Sequence, residues 1–428
     1  FKRNKFKSLN FVILKKNNYY SNGYFNFGKK PIKLLNNWLG GTDLLINFNI
    51  HYFNYIHSCT DKDIKILLQN WLDNNNIHKN ISKHPYVISR RIINLCIYYQ
   101  NCNSNLDLIE KIIKKDYEDL IFKLEFRLCN NHLSSNLVAL YFVINLFSSH
   151  SFNNLFNSFF TKHICSQILS DGCHLEQTPM YHHLFLQDII LVNELNKNLN
   201  IKNTKLLTVM NILNLFNKKL NPGLNECSFF NDSNNYEFIS SFNLDNFITN
   251  NFQNYATTKI NILKSHSGYY FVNYNKISFI FFNSEVFSKY NPGHHHSALL
   301  PFEVYTNQIK LITNSGIYDY NEGNKRTYIR SDLSKNSSYL GVFSFGIYKN
   351  FRIFYFPKLI NFSFNNISNN CYKIKAYYRI GFFKKIKYKR TAIIKNNILE
   401  IFESSDIKNF KSNINSNKSI YIFCKKYN

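Results

Sequence analysis

The spacing of apolar residues changes once along this chain, near residue 262, and that change restricts the available folds more than any other feature. From about residue 30 to 255, apolar side chains recur mostly at three- and four-residue intervals, the period of a helix with one buried face. HPYVISRRIINLCIYYQ (84–100) places Ile88, Ile92, Leu95 and Tyr99 on one stripe, behind a proline at a helix-opening position. NHLSSNLVALYFVINLF (131–147) and YHHLFLQDIILVNELN (181–196) repeat the pattern. Short polar stretches separate these segments, as they do between stacked antiparallel helix pairs. Beyond residue 262 the period falls to two. SGYYFVNYNKISFIFFNSEVF (267–287) and CYKIKAYYRIGFFKKIKYKRTAII (371–394) are aromatic-rich, alternate, and break at Asn and Gly, which marks strands and hairpins. Helices first and strands second predict an α+β multidomain chain. A helical domain over 1–258 meets an antiparallel β-sandwich over 259–428 along a cleft.

A length of 428 residues exceeds one ordinary core and agrees with two domains. An apolar fraction of 45%, with 41 Phe and 30 Tyr, excludes a disordered polymer. The formal charge of +26 points to polyanionic partners such as acidic polysaccharide, nucleic acid or anionic membrane. A bland explanation competes with that reading. The whole chain is rich in Lys, Asn, Ile, Phe and Tyr, so drift in composition also accounts for the charge. Nine cysteines without a CxxC pair read as mostly small buried residues rather than a disulfide or zinc framework. No uninterrupted apolar run reaches the roughly 18 residues of a membrane span. No signal peptide is recognisable from Phe1 onward. The Asn-rich tail KSNINSNKS (411–419) reads as a loop, and no internal repeat is regular enough to assign.

Four stretches concentrate polar groups beyond what packing needs. NNHLSSN (130–136) opens an apolar helix with Asn131, His132 and Asn136. DGCHLEQTPMYHH (171–183) gathers His174, Glu176, Tyr181, His182 and His183 around a proline. FFNDSNN (229–235) contains Asn231 and Asp232, and NPGHHHSALLPFEVY (291–305) holds three consecutive histidines before an expected strand. The bland alternatives are a helix N-cap, a polar inter-helix loop, a turn and a solvated histidine run respectively. Strand alternation would turn His294 and His296 to one face and His295 to the other. A His-x-His pair suits zinc only with a further protein ligand, and none lies nearby in sequence.

Taken together and in order, these stretches resemble the heparinase II/III-like polysaccharide lyases, most of all members encoded with bacterial surface-polysaccharide genes. NFNIHYFNYI (47–56) is similar to the family's opening helical segment, and HPYVISRRIIN (84–94) to its Pro-Tyr…Ser-x-Arg-Ile pattern at Arg91 and Asn94. QILSDGCHLEQTPMYH (167–182) resembles its Asp-Gly-Gly-His-Phe-Glu-x-Ser-Pro-x-Tyr-His motif. FFND, the Pro-Gly-His-x-His segment and KLITNSGIYDYNEGNKRTYIR (310–330) follow in the family's order. The resemblance implies an incomplete (α/α) toroid joined to the sandwich, and β-elimination at the glycosidic bond of a uronate polysaccharide. It assigns Asn131 to neutralise the substrate carboxylate, Tyr181 to act as base, acid or both, and His294 to share the proton transfers across a basic groove. Arg91, His132, His174, Glu176, His182 and Arg330 become its substrate-binding candidates, and His296 its candidate metal ligand.

The chain departs from the family pattern in ways that bear on that metal. Ala298 stands where the family has Asp, Asn314 where some relatives have a metal-binding Asp, and Lys335 where a histidine is usual. A degenerate zinc or calcium site follows, so no bound cofactor is expected. Pro301 at an expected strand position adds a local relaxation. The implied partner is an acidic polysaccharide rather than nucleic acid, and the resemblance points to the cell envelope or periplasm without excluding the cytoplasm. Two functions stay open: an active lyase, or a catalytically decayed glycan-binding or polysaccharide-biosynthesis-associated protein of the same fold.

Overall fold

The protein's computed structural model describes residues 20–426 apart from scattered short stretches, the longest being 253–264, 284–291 and 413–421. The domain boundary expected at 258/259 and most of the Asn-rich tail lie outside the described residues. Three two-residue strands between Tyr20 and Lys33 open the described chain. A helical array follows, with main members Leu44–Tyr52, Asp61–Asp73, Pro85–Asn101, Leu106–Ile121, Asn131–Phe147, His150–Ser166, Pro179–Asn198, Thr204–Leu220 and Ser241–Asn251. Sequential neighbours pack on one another, Pro85–Asn101 on Leu106–Ile121 and Pro179–Asn198 on Thr204–Leu220, as the short connections require.

Helices Pro85–Asn101 and Asn131–Phe147 are buried almost all round rather than along one stripe. A helix of that kind sits at the centre of its domain. Its polar side chains must then find partners inside the protein. Arg90 donates to both Asp188 oxygens at 2.7 Å. Arg91 forks onto Asp116 at 2.7 Å through Nε and Nη2, donates to the carbonyls of His51 and Ser82, and lies 4.7 Å from the Trp71 ring centroid. Only 1% of Arg91 is exposed, which removes it from the substrate-binding candidates. Its planar fork is spent on a buried carboxylate.

The second half contains two main sheets. Tyr269–Tyr274, Ile277–Phe282, Phe302–Thr306 and Ile309–Ile312 form a four-stranded antiparallel meander. Lys358–Ser368, Cys371–Ile380, Ile386–Lys395, Ile398–Ser405 and Ile422–Lys426 form a five-stranded sheet. Its last strand pairs in parallel, a departure from the wholly antiparallel expectation. The period-two pattern explains how these layers stack. Phe279 and Phe281 turn to one face and share a core with Ile374, Ala376, Tyr378 and Ile394 of the five-stranded sheet. Ile280 and Phe282 turn to the other face and pack with Phe216 and Leu220 of a helix. ISFIFF reads as a continuous apolar run because both of its faces are covered. Pro301 lies just outside the strand that begins at Phe302, where its carbonyl accepts the Phe282 N–H at 3.0 Å. It therefore costs no ladder donor.

Arg91→Met should destabilise the fold by about 3–5 kcal/mol, because Asp116 would be left buried and unpaired. Adding Asp116→Leu should restore a large part of that loss. Urea unfolding of the two variants checks this; equal loss in both would show that packing on Trp71, not the charge pair, holds the helix.

Candidate active site

The polar stretches converge on the junction between helices and sheets. Asp171 accepts the backbone N–H groups of Ser267 at 2.7 Å, His266 at 2.9 Å and Cys173 at 3.2 Å. Gly172, at φ +95°, sits where a Cβ would press on Ile212 at 3.1 Å, so the turn needs glycine. Gln177 donates to the Ser267 carbonyl at 2.9 Å, and its own carbonyl receives Asn231 Nδ2 at 2.9 Å and the Tyr269 hydroxyl at 2.7 Å. The DGCHLEQT loop is thus the fastening between the two halves. It also fixes the start of helix Pro179–Asn198, which carries Tyr181 in its first turn.

Buried hydrogen bonds use up the other members of that motif. His182 accepts the His174 N–H at Nδ1 (3.2 Å) and donates from Nε2 to the Leu213 carbonyl (3.0 Å), which defines the neutral Nε2–H tautomer. Burial lowers its pKa to about 4, and burial with neighbouring histidines lowers that of His174 to about 3. Glu176 accepts the Asn131 backbone N–H at 3.2 Å. All three are fully buried, and none lines the cavity described below. His174, Glu176 and His182 are therefore positioning residues, not substrate ligands. Arg330 is also withdrawn: its guanidinium donates to the His295 carbonyl at 3.2 and 3.0 Å and is 1% exposed. It holds the histidine segment from behind.

A cavity of about 490 Å³ opens at this junction, and Asn131, His132, Tyr181 and His294 all line it. That volume suits a small carbohydrate unit. The Asn131 side-chain amide makes no intramolecular hydrogen bond among the described residues and opens helix Asn131–Phe147. His132 pairs with Glu125 at 2.8 Å. Burial would raise the Glu125 carboxyl, but this partner outweighs it and lowers the pKa. The Tyr181 and His294 rings lie against each other at a tilt of 45°, 4.3 Å between centroids, and the Tyr181 hydroxyl meets that of Tyr320 at 2.5 Å. Burial, then Tyr320 and Asp232, push the Tyr181 phenol well above its ordinary range, so it holds its proton. The expected basic groove is not observed: no Lys or Arg lines the cavity among the described residues. Its walls are aromatic, aliphatic, amide and imidazole.

Beneath His294 lies Asp232, fully buried. One oxygen meets His294 Nδ1 at 2.9 Å and the other His296 Nε2 at 2.6 Å, while Arg326 forks onto both at 2.5 and 2.6 Å. Burial would raise this carboxyl, but Arg326 and the two histidines hold it well below the usual carboxylate range. His294 and His296 share a face as alternation predicted, although Pro292–His294 is a 3-10 turn and not a strand. His295 packs the other way, toward Phe282, with 6.3 Å between ring centroids. A turn is the bland expectation for Asn231 and Asp232. Asn231, at φ +56°, does turn, but Asp232 is the centre of the cluster. Tyr320 and Arg326 were also passed over, although both fall in the quoted stretch ending at Arg330.

The donor set does not fit a divalent cation. Arg326 and the two imidazoles already fill the roughly four acceptor positions of Asp232. Asn314 accepts the Asn336 N–H at 2.9 Å and donates its own backbone N–H to Glu303 at 2.9 Å. Lys335 donates to Ser315 Oγ at 2.8 Å, 2% exposed. Among the described residues no group of three or more His, Cys, Asp and Glu side chains is placed to hold a metal. His296 is therefore better described as a donor to Asp232 than as a metal ligand.

Residues 261–340 match the family model described as Heparinase II/III-like, C-terminal. Solved structures share the fold. A heparinase III crystal structure superposes with a TM-score of 0.56 at 16% identity, over 88% of this chain and 64% of that one. A second heparinase III gives 0.52 at 14% identity, over 85% and 65%. The chain thus spans just under two-thirds of the length of these relatives, and at such identities the likeness is one of fold. A search of curated proteins gave no match. The resemblance drawn from the motifs stands: the chain carries a heparinase II/III-like C-terminal segment within a heparinase III-like fold.

Burial lowers the Lys335 pKa from 10.5 to about 7. Between those two pH values the unfolded chain binds a proton that the folded chain has released, so stability rises with pH across the window and the penalty is full below it. Lys335→Met should therefore gain most over wild type near pH 7. The gain should shrink by about 1.4 kcal/mol per pH unit toward pH 10. Chemical denaturation at four pH values checks the slope, and a pH-independent difference would place the ammonium in contact with water.

Proposed function

We propose that the protein is a polysaccharide lyase that cleaves an acidic, uronate-containing polysaccharide by β-elimination. The carrying observation is that an amide, a phenol and an imidazole far apart in sequence line one cavity. The reaction removes the C5 proton beside the substrate carboxylate and expels O4. Charge grows on the carboxylate, and the unpartnered Asn131 amide offers it a preorganised donor, with the His132–Glu125 pair alongside. The Asp232 carboxylate accepts the His294 Nδ1–H and orients the ring, and in this scheme His294 Nε2 takes the C5 proton. Tyr181, kept protonated by its surroundings, serves as the acid for O4. The C4–O4 bond breaks and a C4–C5 double bond forms; after product leaves, His294 gives its proton to water and Tyr181 takes one from water, which restores the starting state. No cofactor enters this scheme.

The remaining parts of the proposal follow the family resemblance. We read the helical array as an incomplete (α/α) toroid over residues 1–258 and the two sheets as the layers of a sandwich over 259–428. The envelope or periplasm is the proposed place of action, where acidic polysaccharides occur. No helix among the described residues is long and apolar enough to cross a membrane.

A second reading, glycan binding without cleavage, draws on the lack of any Lys or Arg among the described lining residues. The two separate in one experiment. Incubation with a panel of glycuronans should produce the ultraviolet absorbance of an unsaturated uronate. Tyr181→Phe should lower the rate by about 10²–10⁴-fold, and Asn131→Ala by about 10²-fold. Binding without any rise in absorbance would support the decayed protein, and activity indifferent to both substitutions would remove the assigned roles.

A further inference from the structure

The cavity is poor in cations, yet the chain carries a formal charge of +26, so the excess lies elsewhere. One concentration of it is ordered by the strand register of the five-stranded sheet. Its inner face presents Ile374, Ala376 and Tyr378 from one strand and Ala392 and Ile394 from the next to the shared core. Strand alternation therefore turns the odd-numbered residues of both strands outward. Those positions hold Lys373, Lys375 and Arg379 on Cys371–Ile380, and Lys387, Lys389 and Lys395 on Ile386–Lys395. The two strands pair in unbroken register, Tyr377 opposite Lys389 and Arg379 opposite Lys387. Same-face neighbours lie roughly 6.6 Å apart along each strand. None of these six cations has a carboxylate partner among the described residues.

Composition drift does not explain this face. Drift toward lysine would load every solvated surface, but helix Leu106–Ile121 keeps Asp107, Glu110, Glu118 and Asp119 among its lysines. On the outer sheet face the neighbouring strand Ile398–Ser405 contributes one acid, Glu400, opposite Ile393. Glu403 turns inward to Arg390 at 3.2 Å. A shallow groove of about 370 Å³ runs across the face, with Lys373, Lys375, Lys389, Phe402 and one acidic residue, the Arg390-paired Glu403, among its walls. Lys389 lies 5.3 Å from the Tyr377 ring centroid. Ammonium groups interleaved with aromatic rings match a chain of pyranose rings bearing carboxylates: the rings accept the apolar C–H faces and the cations the charges.

Resting on the lyase reading above, we propose that this outer sheet face is an exosite that holds the acidic polysaccharide remote from the catalytic cavity. The four-stranded sheet lies between this face and the helices. The two sites therefore bind different lengths of one polymer. Many weak, screened contacts on the sheet raise the local concentration of substrate, while the cavity selects one uronate for chemistry.

Binding to hyaluronan, alginate and polygalacturonate is measured in the Tyr181→Phe background, so that no polymer is degraded. The comparison variant adds Lys373→Gln, Lys375→Gln and Lys389→Gln, with an unfolding curve as the control for folding. At least one glycuronan should bind about five-fold more weakly to the triple variant at low salt. The difference should disappear at about 0.5 M salt, and affinity for a tetrasaccharide of the same polymer should not change. Equal polymer affinity in both proteins overturns the exosite. So does loss in the triple variant of anionic-vesicle or duplex-DNA binding alone, with glycuronan binding intact. Because the readout is binding, a wild-type protein that fails to cleave leaves the exosite result standing, and a triple variant without effect leaves the lyase assignment standing.

Discussion

The Asp232 carboxylate is the interaction on which the site depends. A buried anion is costly to desolvate, and here its two oxygens are met by a guanidinium fork and two imidazoles. The partners come from two parts of the chain: the histidines from the segment that follows the four-stranded sheet's first hairpin, and Arg326 from helix Asn324–Arg330. Holding them together fixes the tautomer of His294 and aims its other nitrogen. Gly316 completes the fit. At φ +60° its missing Cβ lets the backbone pass against the Ser233 carbonyl, one residue beyond Asp232. A side chain there would displace the loop that carries the carboxylate.

The same economy explains why a conspicuous polar motif turned out to be mostly internal. DGCHLEQT must join a helical array to a sheet, and a loop buried at such a junction has many backbone groups to satisfy. Asp171 takes three N–H groups, and Gln177 supplies a donor and an acceptor. His174 and His182 bond to one another's segment. Of the motif's polar side chains quoted as candidates, Tyr181 alone lines the cavity, beside Met180. Density of polar residues in sequence therefore marked the right place without saying which groups face substrate. The buried or exposed state of each depends on which helix lies behind it.

What was legible follows the same division. The change in period located the helices and strands, and NHLSSNLVALYFVINLF coincides with helix Asn131–Phe147. Burial on all sides of that helix was not legible, because a uniformly apolar helix and a striped one differ only in a few polar positions. Asn131, Tyr181 and His294 were found through the ordered motifs, and the cavity gathers them. Asp232, Tyr320 and Arg326 were missed because Asx residues are common in turns and because aromatic and basic residues are abundant throughout this chain. The i, i+4 pair Arg326 and Arg330 was the available signal. On a short helix that spacing sends both side chains to one side, here into the protein.

The electrostatics of the cavity bear on the mechanism as much as its geometry does. A phenol acts as a base only where cations stabilise its anion, and the nearest guanidinium, Arg326, is already committed to Asp232. Tyr320, at hydrogen-bond distance, is itself pushed upward by burial and Asp232, so it offers no relief. In the proposed reaction Tyr181 therefore takes the part of the acid, and the imidazole the part of the base. On the proposed reading, a substrate carboxylate entering this cavity, which no described Lys or Arg lines, would meet oriented dipoles, the Asn131 amide and the start of its helix. Such dipoles cost no desolvation of a counter-charge when the sugar binds, and they strengthen their hold as charge accumulates during C5 proton removal. A cavity built this way distinguishes the transition state from the ground state without gripping the product. That is the property the proposed lyase reaction along a long polyanion would require.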